Sequence, residues 1–126
     1  MIAYLDTHVV VWLAQGQLAS LSPRAASHLE TDSLLIAPMV LLELEYLYEI
    51  GRVRLSSREI LRKVEFETGA QVCDLPFPAV AAVALDEKWT RDPFDRMIVA
   101  QAKANGFSHL ISSDQEIGLH YTRTVW

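Results

Sequence analysis

The chain has one cysteine, Cys73, so no internal disulfide can hold it together, and a reducing cytoplasmic compartment is expected. Cys73 sits among apolar residues and reads as core. Glycine and proline are sparse, five of each in 126 residues, which excludes collagen-like and low-complexity architectures. No long apolar run escapes charge, with Glu43 interrupting one, so no membrane span is expected. The first ten residues, MIAYLDTHVV, lack a basic segment and carry Asp6, so they do not read as a signal peptide. Positive charge is also in deficit. Eleven Lys and Arg stand against 16 Asp and Glu, for a net charge of -5. This excludes a broad basic surface for gripping nucleic acid, but leaves open a local acidic cluster neutralised by divalent cations. There is no phosphate-cradling glycine loop and no nucleophile elbow. His8, His28, His109 and His120 show no metal-ligand spacing and read as structural or exposed.

What remains is a globular composition, 51% hydrophobic and 21% charged, of a length that suits one domain over residues 1–126. Short apolar runs alternate with helical patterns. Strands are expected at Ile2–Leu5, 34–37, 71–75 and 109–112, with an edge strand at 122–126. Helices are expected at 9–15, from Pro23 to about Glu30, and from Pro38 to about Ile50. Others follow at about 57–67, 79–88 and 93–105, with a short one headed by Asp114. Gly16, Gly51 and Gly106 fall where helices end. Strands alternating with helices imply an α/β fold with a parallel sheet of four to five strands covered on both faces.

In such a sheet, sites lie beyond the carboxyl ends of the strands. Asp6 and Asp114 each follow a strand directly. Asp92 and Asp95 open the helix in RDPFDRMIVAQA, and Glu43 lies in the helix after the second strand. Capping explains Asp6, Asp92 and Asp114 one at a time. It does not explain Glu43, whose neighbours one turn away, Met39 and Leu47, are apolar, nor the convergence of all five on one edge. Clustered carboxylates repel unless cations hold them. Oxygen ligands without a His or Cys pattern favour Mg²⁺ or Mn²⁺ over zinc. An all-carboxylate site of this kind suits phosphodiester hydrolysis.

These motifs resemble those of the PIN-domain ribonucleases, in particular the VapC-type toxins of type II toxin–antitoxin systems. The resemblance spans essentially the whole chain. The first acid corresponds to Asp6 in YLDTH, the second to Glu43 in LLELEYL, the third to Asp95 in DPFDRMIVAQA and the fourth to Asp114 in LISSDQEIG. It implies a three-layer α/β/α PIN-like fold, with these four residues as metal ligands and catalytic groups. Asp92 would be an auxiliary acid or cap, with Thr7 and Ser112 as auxiliary hydroxyls. The family often has Thr where Ser112 stands, and small hydroxyl residues ahead of the second acid, where this chain has APMVLLE. The resemblance further implies Mg²⁺-dependent endonucleolytic cleavage of an RNA substrate, a homodimer and inhibition by a cognate antitoxin. Arg52, Arg54, Arg58 and Arg62 in the basic segment, with Arg96, are candidate contacts for RNA phosphates or the antitoxin.

Two other readings compete. A catalytically inactive PIN-like binding module would keep the fold without the chemistry, although all four acids are retained. A receiver-like phospho-accepting domain would need a phosphorylatable Asp ending a central strand and a Lys beyond a later one. Asp74 fits the first role poorly, and Lys63, Lys88 and Lys103 follow no strand.

Overall fold

The computed structural model describes residues 1–126. Its centre is a five-stranded parallel sheet: β1 (Ile2–Leu5), β2 (Ser33–Ile36), β3 (Gln71–Val72), β4 (His109–Ile111) and β5 (Thr124–Val125), in the order β3-β2-β1-β4-β5. Seven helices flank it: α1 (Thr7–Ala14), α2 (Pro23–Thr31), α3 (Pro38–Glu49), α4 (Ser57–Thr68), α5 (Phe77–Ala84), α6 (Pro93–Ala104) and α7 (Gln115–His120). The architecture is the three-layer α/β/α arrangement expected. None of the helices is long and apolar enough to cross a membrane.

The central strands are hydrophobic on both faces because helices cover both. Ala3, Tyr4, Leu5, Ile36, Leu110 and Ile111 are fully buried. Register pairs Leu5 with Ile111 and Tyr4 with Leu35, so β1 ends level with its neighbours. From β1 the chain first winds outward through β2 to β3. It then crosses back to β4 and winds outward to β5. The switch of direction falls between β1 and β4, the place at the carboxyl edge where sheets of this kind bind their ligands. The order also differs from the 2-1-3-4-5 winding of receiver-like folds, which removes that alternative.

Local chemistry sets most of the boundaries. Ser22 Oγ accepts a hydrogen bond from the Ala25 amide and Pro23 opens α2. Ser56 Oγ accepts from the Glu59 amide, and Gly69, at φ 74°, closes α4. Three elements differ from the sequence expectation. Helix α1 starts two residues early because Asp6 caps it directly. Strand β3 is only two residues long: it lies at the edge, and Pro76 cannot donate to a ladder. Helix α5 begins at Phe77, since Pro78 is tolerated in a first turn, and ends at Ala84 instead of running to Lys88. The chain then turns inward to bury Glu87 against Lys103.

Candidate active site

Asp6 leaves β1 and heads α1. Its Oδ1 accepts from the Thr7 amide at 2.8 Å, and its Oδ2 accepts from the Ser112 hydroxyl at 2.6 Å. Parallel pairing of Leu5 with Ile111 brings residues 6 and 112 side by side just past the strand ends. Ser112 is itself buried, and its oxygen also accepts from the Asp114 amide at 3.1 Å. One hydroxyl therefore links two of the expected acids. Asp114 Oδ1 caps α7 by accepting from the Ile117 amide at 3.0 Å.

Glu43 reaches the same place from α3. The Thr7 hydroxyl donates to Glu43 Oε1, so the residue after Asp6 fixes the second acid. At the head of α6, Asp92 Oδ1 accepts from the Phe94 amide at 2.8 Å and the Asp95 amide at 3.3 Å. Asp92 is thus the cap. Asp95, one turn in, is half-buried, and the charges of the other acids act on it.

The acids act on one another electrostatically. Burial is the leading cause that raises the carboxyls of Asp6, Glu43 and Asp95 above the ordinary range. Asp95 is pushed up to about 7, with added repulsion from Asp92, Asp6, Asp114 and Glu43. Glu43 feels Asp6 and Asp92, and Asp6 feels Asp114. The Ser112 and Thr7 hydrogen bonds oppose the rise for Asp6, and the Thr7 hydroxyl does so for Glu43. His8 opposes the rise at Asp6 and Glu43 through charge alone. Neither lysine nor arginine figures among the causes for these three groups. Carboxylates withdrawn from water that repel one another, without a lysine or arginine to offset them, are a donor set suited to a hard divalent ion.

The basic segment lies elsewhere. Arg54 and Lys63 line a groove with Ala14 and Gln17, at the carboxyl end of α1. Asp6 heads the other end of that eight-residue helix, about 12 Å away by helical rise. Arg52, Arg58 and Arg62 are exposed, and Arg62 borders a neighbouring groove with Glu59 and Phe66. The Arg96 guanidinium is taken up within the fold, donating to the Ala84 and Leu85 carbonyls at 3.0 and 3.3 Å.

Sequence reading missed three residues beside the site. Arg24, at the head of α2, shares a polar cleft with Ser112, Asp114 and Thr122. A helix running antiparallel to the strands must start at the carboxyl edge, and that was the available signal. His8 acts on Asp6 and Glu43 from the first turn of α1. Exposed Tyr46 lies 5.9 Å from the Phe94 ring, which puts an aromatic pair between the helices that carry Glu43 and Asp95.

A family model described as PIN domain matches residues 3–120. Ribonuclease VapC22 of Mycobacterium tuberculosis (strain ATCC 25618 / H37Rv) is 31% identical over 128 residues, covering 97% of this chain and 96% of that protein. Among solved structures, VapBC2 from Rickettsia felis, bound to a DNA fragment from its promoter, matches with TM-score 0.68 and 15% identity, over 98% of this chain and 96% of that one. VapBC-1 from nontypeable Haemophilus influenzae matches with TM-score 0.58 and 18% identity, over 97% and 93%. At these identities the two structures speak to the fold.

Proposed function

The chain belongs to the PIN-domain family, as a VapC-type member, and from that premise we propose that it is a Mg²⁺-dependent endoribonuclease that hydrolyses RNA phosphodiester bonds. The observation that carries this reading is the grouping of Asp6, Glu43, Asp95 and Asp114 at one edge, where the first three carboxyls are raised and no lysine or arginine offsets them. These four would hold Mg²⁺, or Mn²⁺ in its place. When bound, the ion supplies positive charge at the scissile phosphate and lowers the pKa of a water beside it.

The remaining work falls to the chain. The Ser112 hydroxyl and Thr7 amide hold both oxygens of Asp6 in place. The Thr7 hydroxyl does the same for one oxygen of Glu43. One of the carboxylates can orient the attacking water and accept its proton. Arg24 lines the adjoining cleft, where a guanidinium can take an RNA phosphate oxygen. The VapBC neighbours support a cognate antitoxin that restrains it, and the proposal extends to one catalytic domain over residues 1–126, a cytoplasmic toxin and a homodimer.

The test is cleavage of a structured RNA pool by purified protein, with Mg²⁺ or with EDTA, beside Asp95→Asn. Cleavage that needs the metal and disappears in the variant is expected. Cleavage that persists in Asp95→Asn would overturn the assignment of that residue. A metal-loaded, antitoxin-free protein that cleaves nothing would favour the inactive binding module.

A further inference from the structure

At the amino edge of the sheet a second, chemically different group converges. Asp32 ends α2 immediately before β2, His28 lies one turn earlier on the same helix, and His109 opens β4. One ligand atom from each falls within 4.8 Å of the others. His28 Nδ1 is 2.7 Å from Asp32 Oδ2, and His109 Nδ1 is 3.9 Å from the same oxygen. The two imidazoles meet edge to face with centroids 4.9 Å apart. All three side chains are largely buried, with 23%, 8% and 17% exposed for His28, Asp32 and His109.

His109 Nδ1 is buried and has no hydrogen-bond partner. A buried polar atom of this kind is costly unless something satisfies it. Burial, followed by the charges of Arg123 and His28, holds this imidazole below its ordinary pKa. The His28 hydrogen bond and charge hold Asp32 below the carboxylate range despite its burial. A neutral imidazole nitrogen and an ionised carboxylate are the forms in which these groups ligate metal.

We propose that His28, Asp32 and His109 bind a borderline divalent cation of the Zn²⁺, Ni²⁺ or Co²⁺ class, at a site separate from the carboxylate cluster. Two nitrogens and one oxygen favour such ions over Mg²⁺. His28 in the last turn of α2 and Asp32 at its C-cap stand at i and i+4, a spacing that presents two ligands together. The sequence concealed the site because the helical pair is mixed and the third ligand comes from a distant strand. The cation would take the place of the proton shared by His28 and Asp32, and would give His109 Nδ1 a partner. Arg24, Arg123 and the Met1 amine lie near enough to oppose positive charge, so the affinity is set by three ligands working against them. His109 pairs with Ala3, three residues before Asp6 on the same strand line, so the two sites are about 10 Å apart. An ion here would tie α2 to β2 and β4, which makes it a staple for the sheet.

The experiment uses the full chain carrying Asp6→Asn and Asp95→Asn, stripped of metal and titrated with Co²⁺ and then Zn²⁺. One equivalent should bind, with the visible absorption of nitrogen-ligated Co²⁺ and a raised melting temperature. Adding His109→Gln or Asp32→Asn should weaken binding about tenfold or more, by analogy with the loss of groups that support metal ligands. Melting of the metal-free variants shows that they fold, and His28→Gln replaces any that does not. Absence of the absorption band and of any rise in melting temperature would overturn the site. Binding of equal strength in all three variants would do the same.

Discussion

Glu87 and Asp6 are both carboxylates withdrawn from water, with 3% and 6% of their surfaces exposed. Glu87 has a full complement of protein partners. Its Oε1 pairs with the Lys103 ammonium, and its Oε2 accepts from Trp89 Nε1 at 2.7 Å. Trp89 stacks on His120 at 5.0 Å, and Lys103 lies 5.9 Å over the Tyr121 ring. Asp6 is held by a serine hydroxyl and one amide, and acidic residues surround it. One region neutralises its buried charge internally, and the cost of burial is offset inside the fold. The other region orients its charges and leaves them unbalanced. Orientation without neutralisation is what a site for an external cation requires.

The largest effect should come from breaking the unbalanced side. Asp6→Asn should lower Mg²⁺-dependent cleavage about 10²–10³-fold, equivalent to about 3–4 kcal/mol of transition-state stabilisation. The melting temperature should hold or rise, because a repelling charge is lost. Single-turnover cleavage and a thermal scan check both halves, and full activity in this variant would erase the contrast.

Glu87→Gln attacks the balanced side. It leaves Lys103 without its counter-charge and should cost about 3 kcal/mol of stability, read by urea unfolding. Cleavage by the folded variant should change little. A variant as stable as the parent would mean that the pair is not what holds the 85–92 turn.

Acid titration compares the two regions in one molecule. Asp95 titrates near 7 in the folded chain against 3.8 as its ordinary value. Between those values the folded state holds a proton that the unfolded state has lost, so stability falls as pH rises from about 4 to 7 and levels off above. Asp6 and Glu43 shift in the same direction. Because Asp95 is only half-buried, the loss is discounted to about 1–2 kcal/mol in metal-free protein. Mg²⁺ should flatten the profile. A metal-free protein that gains stability from pH 4 to 7 would contradict the reading.

The smallest effect belongs to the hydroxyls. Ser112→Ala removes the bond to Asp6 Oδ2 and should cost about 1 kcal/mol of stability, with a cleavage loss of about tenfold. Thr7→Val should act similarly through Glu43. Measuring both beside Glu87→Gln ranks the orienting bonds against the neutralising ones.

Much of this was legible before any coordinates. Asp6 and Asp114 follow apolar runs, and the rule for parallel sheets carries them to one edge. Glu43 stood out because its helical neighbours are apolar. Asp92 was ambiguous between ligand and cap; its bonds to the Phe94 and Asp95 amides show that it caps α6, as Asp6 caps α1 and Asp114 caps α7. Other features were hidden. The early end of α5 depends on Glu87 meeting Lys103 from another helix, which no local pattern encodes. Arg96 looked available for RNA, yet it is spent on the Ala84 and Leu85 carbonyls.

The sequence by itself determined the alternation of elements, the caps and the parallel class, since each rests on periodicity or on bonds within a turn. It also supplied the acids and their order. Only the tertiary structure decided that a serine hydroxyl joins Asp6 to Asp114 and that Arg24 shares a cleft with Ser112 and Asp114. It alone brought His109 to Asp32 at the far edge of the sheet. These contacts join residues from separate elements, and their energies depend on distance and burial, which exist only once the sheet has assembled.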